Sequence, residues 1–219
     1  MQRVLILALP LLLAAAGGPG DWPDWRGPNR SGMALGEGAG VLILEAEEGA
    51  RLRGARIVAE GAGYGESTDA FHMTRPDPEG KGAAAAMRRA LDDAEADPAE
   101  VGYINAHGTG TPFNDIMESA AIRSVMGMSG GRVPVSSTKS MIGHLLGGAG
   151  AVEAILTVMA LSHRRIPPNV NCPNPDPECG LRIVTAAEDA PSLEVAISNS
   201  FGFGGANAAL VFRAGGRVS

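Results

Sequence analysis

The sequence predicts an α/β fold with a partly mixed sheet, and three observations lead to this expectation. Short apolar runs rich in β-branched residues alternate with segments of helical periodicity along most of the chain. The last two apolar runs are separated only by a glycine-rich turn, as in a hairpin. Gly accounts for 31 of the 219 residues and aromatic residues for only 4%, so small side chains must provide much of the packing. Alternating strands and helices favour parallel pairing, to which the hairpin adds antiparallel pairing.

Length and charge limit the classes of function. A chain of 219 residues suffices for one domain of ordinary size, and a 45% hydrophobic content is typical of globular proteins. The net charge is −6 and no Lys/Arg stripe is present, which argues against a nucleic-acid partner. Cys172 and Cys179 lie in a proline-rich loop without a CxxC motif or a nearby His, so we predict free thiols and no metal site. In a secreted protein the two thiols could instead pair across this loop.

The first residues differ from the rest of the chain. Residues 1–20 combine Arg3, an apolar stretch and small residues, a pattern that predicts a signal-peptide-like leader too short to span a bilayer. A buried N-terminal helix is the alternative, and Pro10 counts against it. Residues 21–35 are predicted to be an unstructured junction. They contain "DWPDWRGPNRSG", which resembles the opening of secreted β-propeller proteins with pyrroloquinoline-quinone-type repeats. A secreted binding protein is therefore one alternative, although no propeller repeat follows.

The first predicted elements run from residue 36 to residue 96. The apolar run of 36–45 predicts a buried strand, and 46–54 predict a short helix that Gly54 ends. A second strand is predicted over 55–65, and a loop rich in Pro, Gly and Asp follows. Residues 82–96 place apolar side chains at helical spacing and predict an amphipathic helix.

The later elements begin with a capping box in which Asp97 is followed by Pro98 and Glu100. The apolar residues 145–161 predict a helix that is buried on most sides. It contains Gly147, Gly148 and Gly150, each costing about 1 kcal/mol relative to Ala, which indicates that another backbone packs nearby. The other predictions are a strand over 101–106, a helix over 114–127 with Asn114 as its cap, strands over 132–138, 181–185, 194–200 and 207–214, one domain over 36–214, and a tail over 215–219.

Three loops at predicted strand ends carry side chains that could do chemistry. They are "NAHGTGTPFND" with His107, "SSTKSMIGH" with Lys139 and His144, and "SNSFGFGGAN" with Phe201 and Phe203. Open α/β sheets gather their active sites at strand ends. A single histidine in a globular domain is more often structural than catalytic. These side chains therefore indicate an active site only when the three loops are considered together.

Together these stretches resemble the β-ketoacyl-acyl-carrier-protein synthases, the condensing enzymes of fatty acid and polyketide synthesis. The resemblance runs over residues 36–214, also includes "DAFHMT" and "IPPNVN", and points to the type II elongating enzymes. It implies a thiolase-like fold, here essentially the C-terminal half plus the last strands of the N-terminal half. It also implies decarboxylative Claisen condensation of a malonyl-carrier with an acyl group. The family is cytoplasmic, which conflicts with the secretory pattern of residues 1–20.

The resemblance implies that His107 and His144 are catalytic and donate hydrogen bonds to the malonyl thioester oxygen as CO₂ leaves. Lys139 matches the family's lysine, which lies beside the first histidine. A buried ammonium needs a partner, for which Glu118 is the candidate, although Glu118 could instead be an exposed helix carboxylate. Glu153 is the only acid of the apolar helix, and we expect it to support a buried loop or cation structurally.

Further residues match the family's substrate contacts. Thr109 and Thr111 match threonines that contact the pantetheine arm, although their hydroxyls could instead satisfy the loop backbone. Phe203 matches a gating phenylalanine whose N–H helps to bind the acyl carbonyl, and Gly202 beside it would allow movement. The remaining substrate-binding candidates are Phe201, His72 and Thr74.

The family's nucleophile is a cysteine in an elbow of the first half of the fold, and neither Cys172 nor Cys179 has that context. We therefore expect a truncated or fused synthase that is inactive alone in condensation. No cofactor is expected, because phosphopantetheine arrives on the acyl carrier protein.

The expected partners are that carrier protein and either a second copy or a complementing N-terminal half, with no membrane. The alternative function is a non-catalytic ketosynthase-like partner that docks a carrier protein or shapes an acyl tunnel. Retention of His107, His144 and Lys139 argues against it.

Overall fold

The computed structural model describes residues 4–7, 36 and 38–215. Apart from residues 4–7 and 215, the predicted leader (1–20), junction (21–35) and tail (215–219) lie outside the described residues. In chain order the elements are β1 (Val4–Leu7), β2 (Ile43–Ala46), α1 (Glu47–Leu52), β3 (Ala59–Thr68), α2 (Lys81–Asp93), β4 (Val101–Asn105), α3 (Pro112–Met126), β5 (Pro134–Ser136), α4 (Lys139–Ile142), α5 (Ala149–His163), β6 (Arg165–Ile166), β7 (Arg182–Ile183), β8 (Glu188–Asp189), β9 (Val195–Phe201) and β10 (Ala206–Ala214).

Eight of these strands form one sheet in the order β2-β1-β3-β10-β9-β4-β5-β7. The pairs β9–β4, β4–β5 and β5–β7 are parallel, whereas β10 runs antiparallel to both β9 and β3. β6 and β8 form a separate antiparallel pair. The predicted α/β class, the mixed sheet and the final hairpin are confirmed.

Helices cover both faces of the sheet. Met87 of α2 and Ile122 of α3 pack with Ile104 in one buried cluster, whereas Leu161 of α5 packs with Tyr103 in another. Neighbouring residues of β4 contribute to opposite clusters because side chains alternate along a strand. β4, β5 and β9 are parallel, so the loops that follow them meet at one edge of the sheet.

α2 packs with its backbone directly against β3. A Cβ atom added at Gly63 or Gly65 of β3 would overlap the carbonyl oxygen of Ala90 or Ala86, respectively. Glycine is needed at both positions because a larger side chain would displace the helix. Close backbone approach thus supplies packing in a chain with few aromatic side chains.

The strand predicted over 36–45 is shorter than expected and is not buried. β2 begins only at Ile43, and three of its four residues are exposed. It forms the edge of the sheet as far as the structure describes the chain, where its one strand neighbour is β1. The glycine-rich residues before it run along the start of α5, where Gly40 lies against the backbone of Ala151 and Val152.

α5 begins at Ala149, later than predicted, because Leu146–Gly148 form a separate 3-10 turn. A Cβ atom on Gly148 would lie 2.6 Å from the carbonyl oxygen of Gly38, which confirms that another backbone packs there. Gly147 has open space around it, so the same explanation fails at that position. By length and composition residues 146–163 could cross a membrane, but here α5 packs on the sheet.

The two predicted helix starts have different outcomes. The Asp97 capping box is confirmed: Ala99 N–H donates to Asp97 Oδ1 at 2.8 Å, and Asp97 N–H donates to the carboxylate of Glu100 at 2.9 Å. Asn114 as the cap of α3 is wrong. The helix begins at Pro112 after Thr111, and proline suits the first helical position because it lacks an N–H.

Candidate active site

β4 ends at Asn105 and places His107 in a buried loop, where 7% of its surface is exposed. The carboxylate of Glu118 in α3 accepts the backbone N–H groups of His107 and Gly108, each at 2.8 Å. It also accepts a hydrogen bond from Asn199 Nδ2 at 3.1 Å. Burial raises the pKa of Glu118, and the two backbone N–H groups oppose that rise. Glu118 is therefore not an exposed helix carboxylate: it fixes the course of the His107 loop.

Lys139 pairs with Glu153, so the expectation that Glu118 is its partner is wrong. The side chains of Lys139 and Glu153 are 4% and 1% exposed. α5 lies on the face of the sheet opposite α3, and from that face Glu153 reaches the Lys139 ammonium. The carboxylate of Glu118, on the α3 side, instead accepts backbone N–H groups. Burial raises the pKa of Glu153 to about 7, although the Lys139 ammonium opposes the rise. The expectation that Glu153 supports a buried cation is confirmed.

His107 and His144 lie edge to face, with their ring centroids 5.6 Å apart. Phe201 packs on His107 with a centroid distance of 5.5 Å. Leu146 N–H donates to His144 Nδ1 at 3.1 Å, so the neutral ring of His144 carries its proton on Nε2. Burial, and then the charge of Lys139, lower the pKa of both histidines, that of His107 well below its usual value. The site therefore presents two neutral imidazoles, each with one N–H to donate.

Both histidines line a cleft of about 800 Å³. Thr109 and Thr111 also line it, with their hydroxyl oxygens 3.0 Å apart. Lys139 does not line the cleft and is buried behind the two histidines. The structure brings the other predicted substrate residues to the same cleft, namely His72, Thr74, Phe201, Gly202 and Phe203.

Two loops meet at the mouth of the cleft. Gly204 N–H donates to the carbonyl oxygen of Met73 at 2.9 Å, and Asp69 N–H donates to that of Gly205 at 3.0 Å. The loop that carries His72 is thereby attached to the turn that carries Phe203, whose side chain is 76% exposed.

Sequence reasoning missed two buried asparagines beside the site. Asn105 Nδ2 lies 3.1 Å from Thr157 Oγ1 and 3.2 Å from the carbonyl oxygen of Glu153, so it ties the end of β4 to α5. Asn199 bonds Glu118 from β9. Asn105 stands in an otherwise apolar run, and that contrast was the available signal because buried amides need hydrogen-bond partners. Asn199 is flanked by Ser198 and Ser200, so no such contrast marks it.

The two cysteines lie outside the cleft that the histidines line. Cys172 and Cys179 are free thiols, and neither lines the cleft. Burial raises the pKa of Cys172, which disfavours the nucleophilic thiolate. In the part of the chain that the structure describes, no group of three or more His, Cys, Asp or Glu side chains could hold a metal ion.

The depressed pKa of His107 predicts a pH dependence of stability. Between this lowered pKa and 6.5, the unfolded chain binds a proton that the folded chain does not. The free energy of unfolding should therefore fall as the pH drops below 6.5, by up to about 1.4 kcal/mol per pH unit from this residue. Urea unfolding of His107→Gln between pH 7.5 and 5 should show a shallower fall than the unchanged chain. His163→Gln, at the exposed end of α5, is the control and should keep the full slope. Equal slopes in all three proteins would contradict the buried, neutral state of His107.

Comparison with known proteins assigns the family. Residues 58–173 match the family described as "Beta-ketoacyl synthase, C-terminal domain", about half of the chain. A 3-oxoacyl-[acyl-carrier-protein] synthase 2 from Synechocystis is 51% identical over 185 residues, which cover 84% of this chain and 44% of that protein. The corresponding synthase of Staphylococcus aureus is 48% identical over 184 residues. The chain spans less than half the length of these curated relatives, 44% and 46%.

A solved structure agrees with this assignment. It is a type II polyketide synthase ketosynthase bound to a hexaketide, in complex with its acyl-carrier protein. Its sequence is 40% identical to this chain, and the two structures superpose with a TM-score of 0.82. It is matched over 85% of this chain and 46% of that chain. The thiolase-like fold expected from the sequence is confirmed. The chain belongs to the β-ketoacyl synthase family, of which it carries the C-terminal domain.

Proposed function

We propose that this chain supplies the decarboxylation site of a β-ketoacyl-acyl-carrier-protein synthase in fatty acid or polyketide synthesis. The observation that carries the proposal is the pair of neutral imidazoles, His107 and His144, on the wall of one cleft. Two neutral N–H donors on one cleft, with ring centroids 5.6 Å apart, suit an oxygen on which negative charge develops.

In the proposed reaction the two imidazoles donate to the thioester oxygen of a malonyl group. The bond to the carboxylate breaks, CO₂ leaves, and the electron pair of that bond moves into the thioester to form an enolate. The enolate carbon then attacks the carbonyl carbon of an acyl thioester, the new carbon–carbon bond forms, and the carbon–sulfur bond of that thioester breaks to release its sulfur as a thiolate. Each fixed donor typically contributes about 2.7–4 kcal/mol to such a transition state. Lys139 acts through its charge, because the nearby ammonium helps to keep both imidazoles neutral.

The cleft, with a volume of about 800 Å³, has room for a thioester on a pantetheine arm. We assign Thr109 and Thr111 to the pantetheine arm and Phe203, on its exposed turn, to the gate of the acyl site. The phosphopantetheine would arrive on an acyl carrier protein in the cytoplasm, so no resident cofactor is needed. The complex of a related ketosynthase with its acyl-carrier protein supports this partner.

We place the nucleophilic cysteine on a complementing half of the fold or on a second chain. Two observations support this placement: neither cysteine of this chain lines the cleft, and the curated relatives are about twice as long. A second function, a non-catalytic partner, is supported by a related structure, a ketosynthase in complex with its chain length factor. That structure is 41% identical with a TM-score of 0.67, and the match covers 79% of this chain and 41% of that chain. The intact histidine pair favours catalysis over that alternative.

The test compares the chain alone with the chain co-expressed with the cysteine-bearing first half of a relative. Both preparations receive malonyl-carrier and acyl-carrier, and mass spectrometry follows CO₂ loss and 3-ketoacyl product. We expect 3-ketoacyl product only from the complemented preparation. The double variant Cys172→Ser/Cys179→Ser is the control and should leave the yield unchanged.

Two results would contradict the proposal. Condensation by the chain alone would show that no complementing half is needed. A complemented preparation that binds malonyl-carrier without losing CO₂ would favour the non-catalytic alternative.

A further inference from the structure

The mouth of the cleft carries an exposed arginine that the reaction described above does not use. Arg75 lies in the loop between β3 and α2 and lines the cleft. Its guanidinium carbon stands 5.4 Å from the centroid of the Phe113 ring, which also lines the cleft. Phe113 is 62% exposed although it occupies the first turn of α3. A cation and an aromatic ring are therefore presented together to whatever enters the cleft.

The backbone on both sides of Arg75 is held in place. Two residues earlier, the carbonyl oxygen of Met73 accepts the N–H of Gly204 at 2.9 Å. Pro76 follows directly, and the carbonyl oxygen of Asp77 accepts the N–H of Gly80 at 2.8 Å. A guanidinium stacked on a ring keeps its N–H edge free, and that edge matches phosphate geometry with two parallel hydrogen bonds. The contact with Phe113 thus places the guanidinium at the mouth of the cleft with that edge available.

Arg75 also lacks a competing anion. Most other arginines of the described ranges have a hydrogen-bonding or ionic partner, such as Glu47 for Arg51 and Asp189 for Arg165. No carboxylate among the described residues lies within ion-pair distance of Arg75. Asp69 also lines the cleft, but its Oδ1 accepts the Phe71 N–H at 3.1 Å. Arg75 therefore remains available to an anionic ligand.

The polarity of the cleft changes from its interior to its mouth. The interior holds the buried, neutral His107, and the mouth holds the charged, exposed Arg75. A ligand with an uncharged thioester at one end, amides in between and a phosphate at the other end matches this order. We propose that Arg75, stacked on Phe113, binds the phosphate of the substrate's pantetheine arm. This inference rests on the proposed function and adds to it a residue that recognises the carrier-borne arm.

The test measures binding of two probes to the purified full chain by isothermal titration calorimetry. The probes are pantetheine and 4′-phosphopantetheine, which differ only in the phosphate. We expect the chain to bind the phosphorylated probe about threefold to tenfold more tightly, as a charge-assisted contact at an exposed site should provide. Arg75→Gln should bind both probes equally, and Arg75→Lys should retain only part of the preference because it cannot stack and donate in parallel. Raising the salt concentration should reduce the preference of the unchanged chain.

Arg56→Gln is the matched control. Arg56 is exposed, carries the same charge and does not line the cleft, so its variant should keep the full preference. A preference that survives in Arg75→Gln would overturn the proposal, as would equal binding of both probes by the unchanged chain. In either case pantetheine binding, and with it the proposed function, would stand. A chain that binds neither probe would overturn both.

Further probes identify the source of the phosphate. A serine-linked carrier protein presents this phosphate as a diester, whereas coenzyme A presents it within a diphosphate that leads to a nucleotide. If Arg75 recognises the phosphate itself, Arg75→Gln should weaken both by the same factor as 4′-phosphopantetheine. Weakening confined to the carrier protein would assign Arg75 to the protein surface and overturn the phosphate site.

Discussion

Replacing His107 by alanine is expected to lower the rate of malonyl-thioester decarboxylation by about 10²–10³-fold in the complemented enzyme. The imidazole is buried against His144 and Phe201 and is neutral, so it contributes a fixed N–H to an oxygen that becomes negative. Water that enters the space left by alanine must reorient as charge develops, which a fixed donor avoids. His144→Ala should have an effect of similar size, and CO₂ release from malonyl-carrier measures both.

His163→Ala is the matched control, since this histidine is exposed at the end of α5 and does not line the cleft. The loss should appear in kcat, because the hydrogen bond strengthens as the enolate forms, while KM changes little. A tenfold rise in KM at unchanged kcat would instead assign the histidines to ground-state binding and contradict the mechanism.

Removing either member of the buried pair, Lys139 or Glu153, should lower the free energy of unfolding by about 3–5 kcal/mol. Both side chains are almost fully buried, so each single change leaves a charge without its partner. The two variants should differ in their pH dependence. In Lys139→Met the remaining carboxyl can take up a proton, because its pKa is already raised to about 7 with the ammonium present. The loss in Lys139→Met should therefore be smaller at pH 5 than at pH 8.

Urea unfolding of the double variant Lys139→Met/Glu153→Leu, together with the two single variants, completes a double-mutant cycle. It should recover most of the stability lost by the single variants, because no isolated charge remains buried. Lys81→Ala, which breaks the exposed pair with Glu79, is the control and should leave the free energy of unfolding nearly unchanged, because solvent screens an exposed pair. Additive losses in the double variant would show that the two charges do not depend on each other.

Local patterns in the sequence were sufficient for part of the fold. The apolar run before His107, the capping box at Asp97 and the hairpin of β9 and β10 were predicted because each signal lies within a few residues. The edge strand β2 was predicted as buried because an apolar run does not reveal how many neighbours a strand has. Asn114 was predicted as a cap from its residue type, whereas Pro112 two residues earlier already begins the helix.

The candidate site could likewise be predicted from local patterns only in part. The motifs around His107, His144 and Phe203 were sufficient to predict that these residues share one site, and the structure places all three on one cleft. The partner of Lys139 was not predictable, because Glu118 and Glu153 are both acids on helices and only the sheet decides which face each helix covers. The contact of Arg75 with Phe113 joins a loop to the first turn of α3, and no local pattern relates the two.

The bonds from Glu118 to the backbone of the His107 loop have a consequence for protein engineering. The anchoring carboxylate and the histidine it supports belong to one contiguous segment, residues 105–118, that runs from the end of β4 into α3. The Lys139–Glu153 pair likewise lies within a second contiguous segment, residues 139–153, which includes His144. Each histidine therefore lies in the same segment as much of the structure that supports it. Either segment could be transferred between relatives of this fold. A transfer of the first segment must preserve outside contacts such as that of Glu118 with Asn199 of β9 and those of Asn105 with α5.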